Sequence, residues 1–118
     1  MPIKKRITGA TATIGHNSRG GSRMYAIVFD LDQQTLQQTY HNTSYQNAYG
    51  EIRRELEKRG FDWQQGSTYF GDASVDAVAC VLAAQHLART YPWFTPSVRD
   101  IRMLRIEDNN DLMPAINL

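Results

Sequence analysis

An α+β fold, with one four-stranded antiparallel sheet carrying two helices on one face, is predicted by three observations in this 118-residue chain. Short strand-like runs stand at 25–29, 61–64, 67–70 and 97–107. Two longer segments, 44–59 and a second ending near Thr90, space their apolar residues by three and four. The two kinds alternate in the order strand, helix, strand, strand, helix, strand. A chain of this length forms one domain with a real core, and not two independent units.

The first strand is Tyr25-Ala26-Ile27-Val28-Phe29, which runs straight into Asp30, with Asp32 two residues on. An extended apolar run buries itself in a sheet, so carboxylates at its end are held by a rigid element where the sheet opens to solvent. By alternation Asp30 shares the face of Ala26 and Val28, while Ile27 and Phe29 point the other way. Two roles fit the pair: chemistry at the sheet edge, or capping of the turn that follows.

A polar loop, Thr39-Tyr40-His41-Asn42-Thr43, leads to a helix from about Ser44 to Arg59, whose buried stripe is Tyr45, Ala48, Tyr49, Ile52 and Leu56. Arg53 with Glu57 and Glu55 with Arg59 stand at i,i+4 on its outer faces, worth only ~0.2 to 0.5 kcal/mol each. Gly60, after a basic last turn, ends the helix. The runs 61–64 and 67–70 flank Gln65-Gly66, a hairpin turn, with Phe61 and Trp63 on one face. Asp72 or Ser74 then caps a second helix lined inside by Val75, Val78, Ala79, Leu82, Ala83 and Leu87 and stopped by Pro92.

The last long strand, Ser97 to Glu107, carries Arg99, Arg102 and Arg105 between apolar residues, and its broken alternation around Arg102 and Met103 predicts a bulge. The apolar tail Leu112 to Leu118 reads as a short extra edge strand, laid on the same sheet or on a second subunit. With two right-handed crossovers, this order is the ferredoxin-like βαββαβ arrangement. Its second sheet face is left uncovered for a dimer partner or a ligand.

The net charge of +1 conceals a division. Residues 1–23 hold Lys4, Lys5, Arg6, Arg19 and Arg23 and no acid, giving +5; residues 24–118 hold eight Lys or Arg against twelve Asp or Glu, giving −4. Residues 1–23 read as a disordered basic N-terminal arm, either a solubilising leader or a nucleic-acid contact, and 24–118 as the folded domain. A polyanion bound by the acidic body must meet a local arginine patch. Cys80 is the one cysteine, which excludes an intramolecular disulfide, and its apolar setting suits a buried thiol. No apolar run approaches the ~20 residues of a membrane span and no signal-type segment opens the chain, so the expected compartment is the cytoplasm.

Four stretches, Met24 to Asp30, Gly60-Phe61, Gln65-Gly66-Ser67-Thr68-Tyr69, and Ser97-Val98-Arg99-Asp100-Ile101-Arg102 with Ile106-Glu107, together resemble the virulence-associated protein D (VapD) family, in order over about residues 24–112. The resemblance implies endoribonuclease activity and the toxin role of a toxin–antitoxin pair, with a cognate antitoxin protein as partner. It also implies a fold similar to the small CRISPR-associated nucleases, which act as homodimers, and it sets Asp30 opposite its mate across the dimer axis. Facing carboxylates can bind one divalent ion, Mg2+ or another, that stabilises charge on the scissile phosphate and lowers the pKa of a bound water. Without an ion they repel and share a proton.

Asp30 is therefore the first candidate, as metal ligand or general base, and Asp32 the second. Arg99, Arg102 and Arg105 are the candidates for RNA phosphates, in competition with pairing to Asp100, Glu107 or the second subunit. Ser67 and Tyr69, two apart, suit a phosphate or a stacked base, or else the hairpin and a dimer seam. His41 suits acid–base work in a metal-free cut, and His86 a surface or packing role. With His16 these form no metal-spacing motif, so zinc is not expected. The expected function is an endoribonuclease cleaving single-stranded RNA or mRNA at a dimer interface around Asp30. The other reading is a non-catalytic RNA-binding, regulatory or assembly protein on the same fold.

Overall fold

The computed structural model of the chain describes residues 24–118, so the basic arm expected at 1–23 lies outside the described residues. β1 (Met24–Leu31) is followed by α1 (Gln33–Thr39), α2 (Asn47–Lys58), β2 (Phe61–Gln65), β3 (Thr68–Gly71), α3 (Ala77–Thr90), the single turn α4 (Phe94–Ser97), β4 (Val98–Ile106) and a last turn α5 (Met113–Ile116). The strands lie in the order β2-β3-β1-β4 with every neighbour antiparallel, which is the predicted ferredoxin-like sheet.

Alternation decides the faces. Ile27, Phe29 and Leu31 enter the core with Ala48, Ile52 and Leu56 of α2 and Cys80, Ala83 and Leu87 of α3. Phe29 stacks on Tyr69 at 6.1 Å and meets Phe94 edge-on at 6.3 Å. On the opposite face Val28, Thr68 and Arg102 stand in register, as do Ala26, Phe70 and Leu104, and Leu104 is 47% exposed. Asp30 lies on this uncovered side.

Several elements differ from expectation for physical reasons. The polar stretch leading into that loop forms α1, whose sequence QQTLQQT buries Leu36 alone and so carries no readable apolar stripe. α3 is capped by Asp76, which accepts from the Ala79 amide at 2.8 Å. Asp72 instead closes the preceding turn by accepting from the Ser74 amide and hydroxyl. Val78 and Leu82, expected inside, face outward at 63% and 47% exposed, and Cys80 is buried in their place. Burial pushes the Cys80 thiol up. Close approach behind β3 depends on Gly71, where a Cβ would stand 2.7 Å from that of Val75. Gly60, at φ 91°, closes α2 as expected.

β4 departs from its ladder between Val98 and Asp100, leaving Arg99 as the extra residue, whereas Arg102 and Met103 pair regularly with Val28 and Ile27. The irregularity expected around Arg102 and Met103 is therefore absent there, and the bulge of this strand lies at Arg99, beside Asp30. A second irregularity falls at Gln64, between the Trp63–Tyr69 and Gln65–Thr68 pairs. The tail forms the turn α5, and not an edge strand, with Leu112 and Ile116 each 70% exposed. On α2, Arg53 pairs with Glu57 at 3.1 Å, but Glu55 turns to Lys58 at 3.1 Å and His86 at 2.8 Å instead of Arg59. Among the described residues no helix is long and apolar enough to cross a membrane.

Candidate active site

Three chain junctions meet at one end of the sheet. β1 ends there, the β2–β3 hairpin turns there, and β4 begins there, with Leu31 opposite Val98. The Phe29 amide donates to the Ser67 carbonyl at 3.1 Å, holding the hairpin beside Asp30. The Asp32 amide donates to the Ser97 carbonyl at 2.7 Å, tying the end of β1 to the start of β4. Ser97 is fully buried, and its hydroxyl donates to the Trp93 carbonyl at 2.7 Å, so α4 and the root of β4 are locked together.

The bulge next to that anchor aims Arg99 back over β1. Its Nε lies 3.7 Å from Asp30 Oδ2 and its Nη1 4.0 Å from Asp32 Oδ1. Both separations exceed hydrogen-bond length, so the guanidinium balances the charge of two carboxylates without committing its N–H fork to either. The Arg99 and Asp30 side chains are 63% and 62% exposed, which leaves the group open to a large polyanion.

The two aspartates are not equivalent. Asp32 caps α1: its Oδ2 accepts from the Thr35 amide at 3.0 Å and from the Thr35 hydroxyl. Those bonds, the hydroxyl first, lower its pKa, and Arg99 adds to the effect. The turn-capping role that fitted both residues thus belongs to Asp32, while Asp30 makes no cap and faces solvent and Arg99.

The remaining candidates divide by position. Ser67 lies at the same end in the hairpin turn. Arg102, on the uncovered face, is turned to Asp100, its Nε donating to both carboxylate oxygens at 3.0 and 3.1 Å. Arg105 stands opposite Tyr25, five strand positions and so about 16 Å from the Asp30 level. Tyr69 is a correction. It is 3% exposed and stacked in the core, on the face away from Asp30. Burial pushes its phenol up to about 12, with Arg53 opposing and Glu57 adding. His41 is exposed past the far end of α1, about 10 Å of helix from Asp32. His86 bridges to Glu55 and serves packing.

Thr35 and Ser97 escaped the sequence reading. Thr35 had a signal, since an Asp at the N-cap accepts from the amide three residues on. Ser97 had none beyond heading the Ser97–Arg102 run, because a buried serine is recognisable only once its neighbours are in place.

Among the described residues no group of three or more His, Cys, Asp or Glu is gathered for a metal. One chain offers Asp30 and the Oδ1 of Asp32. That donor set does not make an all-protein cage, but it fits a hydrated Mg2+, which takes one or two carboxylates together with substrate phosphate.

The sequence matches the family described as CRISPR associated protein Cas2 over residues 23–113. It is 52% identical over 94 residues to endoribonuclease VapD 2 of Riemerella anatipestifer, covering 80% of this chain and all of the relative. The endoribonuclease VapD homolog of Helicobacter pylori is 52% identical over 95 residues, with 80% and 98% covered. Endoribonuclease VapD of Dichelobacter nodosus is 42% identical over 93 residues, with 79% and 97% covered.

Proposed function

The chain belongs to the Cas2 family, and within it to the VapD endoribonucleases, and from that membership we propose that it cuts single-stranded RNA at the sheet end where Asp30 and Arg99 meet. The observation that carries the site is the exposed Asp30 carboxylate beside an uncommitted guanidinium. Arg99 takes a non-bridging phosphate oxygen, and its departure from Asp30 frees that carboxylate to receive a proton from the attacking hydroxyl or water. The attacking oxygen bonds to phosphorus as the bond to the departing ribose oxygen breaks, and that departing oxygen takes a proton from solvent. Ser97 and Thr35 hold the ends of β1 and β4 around Asp30 and Arg99, and Ser67 lies beside them in the hairpin turn. Asp30 of each protomer in a homodimer would hold Mg2+, with Asp32 as an outer neighbour. When bound, the ion neutralises phosphate charge and makes a bound water more acidic.

Purified protein and an Asp30→Asn form, given end-labelled single-stranded RNA with and without Mg2+, test this. The expected result is a loss of roughly 10²-fold or more in the cutting rate with circular dichroism unchanged. Equal cutting by both forms rejects the site. The ends of the products separate the chemistries, since a 3′-hydroxyl marks hydrolysis and a cyclic phosphate marks transesterification. The same membership supports a toxin role restrained by a cognate antitoxin: induced wild type arrests growth and Asp30→Asn does not.

A further inference from the structure

The end of the molecule that carries Asp30 also carries an aromatic ladder to which the proposed chemistry gives no part. The rings of Tyr91 and Trp93 stack at 4.6 Å, Trp93 lies 5.4 Å from Tyr40, and Tyr40 lies 4.2 Å from His41 with 31° between planes. Trp93 and Tyr40 are buried, and the Tyr40 hydroxyl donates to Glu51 of α2, so the inner rungs are fixed. The last rung, His41, is exposed. One side of its ring rests on Tyr40, leaving the other to the solvent.

The ladder and the cleft share their supports. α1 begins at the Asp32 cap and ends just before Tyr40 and His41, while α4 runs from beside Trp93 to Ser97, two residues before Arg99. These two short helices are joined where the Asp32 amide meets the Ser97 carbonyl and where the Thr39 and Ser97 hydroxyls stand 3.4 Å apart.

We propose that His41 is a base-stacking residue, which takes the face of an unpaired nucleobase of the same single-stranded RNA whose phosphate Arg99 holds; this rests on the endoribonuclease reading above. Single-stranded RNA is held by stacking its splayed bases on aromatic faces, histidine included, and such contacts tolerate any base because each has a π-face. The body needs a contact of this kind, since its charge of −4 opposes RNA at long range. A ring already ordered on Tyr40 loses little freedom when a base lands on it. In this role the ring matters and its proton does not, which distinguishes it from the acid–base part the sequence suggested for His41.

The test is a binding cycle in the Asp30→Asn background at low temperature, using a short single-stranded RNA and the same RNA with an abasic site moved along it. One abasic position should weaken binding about tenfold. His41→Ala should weaken the intact RNA by a similar factor and erase the sensitivity to that position. His41→Phe should restore the affinity in that background and, on the otherwise wild-type chain, the cutting that His41→Ala loses. An affinity of His41→Ala within twofold of the parent, a loss equal for every abasic RNA, or cutting that His41→Phe does not rescue would overturn the assignment. If the RNA binds and wild type cuts it, such a result removes only the stacking role. If the RNA neither binds nor is cut, the endoribonuclease reading falls first.

Discussion

Ser97 shows how much one small side chain can fix. Its carbonyl receives the end of β1 and its hydroxyl holds α4, with no exposure to water. Ser97→Ala removes that bond, and an intramolecular hydrogen bond contributes on the order of 0.5 to 1.5 kcal/mol. The expected outcome is a lower Tm and cutting reduced more than the Tm shift explains, because Arg99 loses its root; a variant that melts earlier but cuts at the wild-type rate would show that the anchor serves stability alone. Tyr69 gives a pH prediction. Its phenol is raised from an ordinary value of 10 to about 12, chiefly by burial, so its contribution is complete below pH 10 and is lost as pH climbs through 12. Tyr40, also raised to about 12 by burial and its bond to Glu51, acts in the same direction. Tyr69→Phe should therefore flatten the fall of Tm measured between pH 10 and 12; an unchanged slope would show that this phenol does not govern it.

Among the elements, periodicity revealed what it physically can. The α2 stripe and the two faces of β1 were legible because each buries a repeating set of side chains against one partner. α1 was not, since a helix held by the Asp32 cap and a single buried Leu36 has no period to detect. The start of α3 is ambiguous for a related reason: Asp72, Ser74 and Asp76 are all good caps, and only the folded chain shows Asp72 taken by the Ser74 amide and hydroxyl and Asp76 by the helix. Asp76→Ala should cost ~1 kcal/mol in denaturant unfolding. Asp72→Ala should cost less, since it closes a turn and not a helix; the reverse order would return the cap to Asp72. The arginines of β4 were visible as residues, but which one reaches the carboxylates depends on a bulge whose position one residue of slippage would change.

At the scale of the whole molecule, charge and shape pull apart. The acidic body carries Asp30 and Arg99 at one end, and the five cations of residues 1–23 precede Met24, which begins β1 at the other. If those cations contact single-stranded RNA, removing residues 1–23 lowers the slope of log affinity against log salt by up to about 3.5. Binding titrations at several salt concentrations measure this directly, and an identical slope for the shortened protein would show that the arm stays off the RNA. Apolar side chains remain uncovered on α3 at Val78, Val81 and Leu82 and on the tail at Leu112 and Ile116. The ferredoxin-like order was legible from the sequence, but these surfaces were not, because hydrophobicity alone does not say which side of a helix the chain itself will cover.

The pairing of β1 with β4 has a temporal side. Asp30 leaves the ribosome long before Arg99, and the cleft needs both strands joined through Ser97. Contacts between such distant parts of a chain form late. On the proposed reading, a nascent polypeptide stalled before Val98 carries the carboxylate without its guanidinium, so the site comes together only once β4 has joined β1.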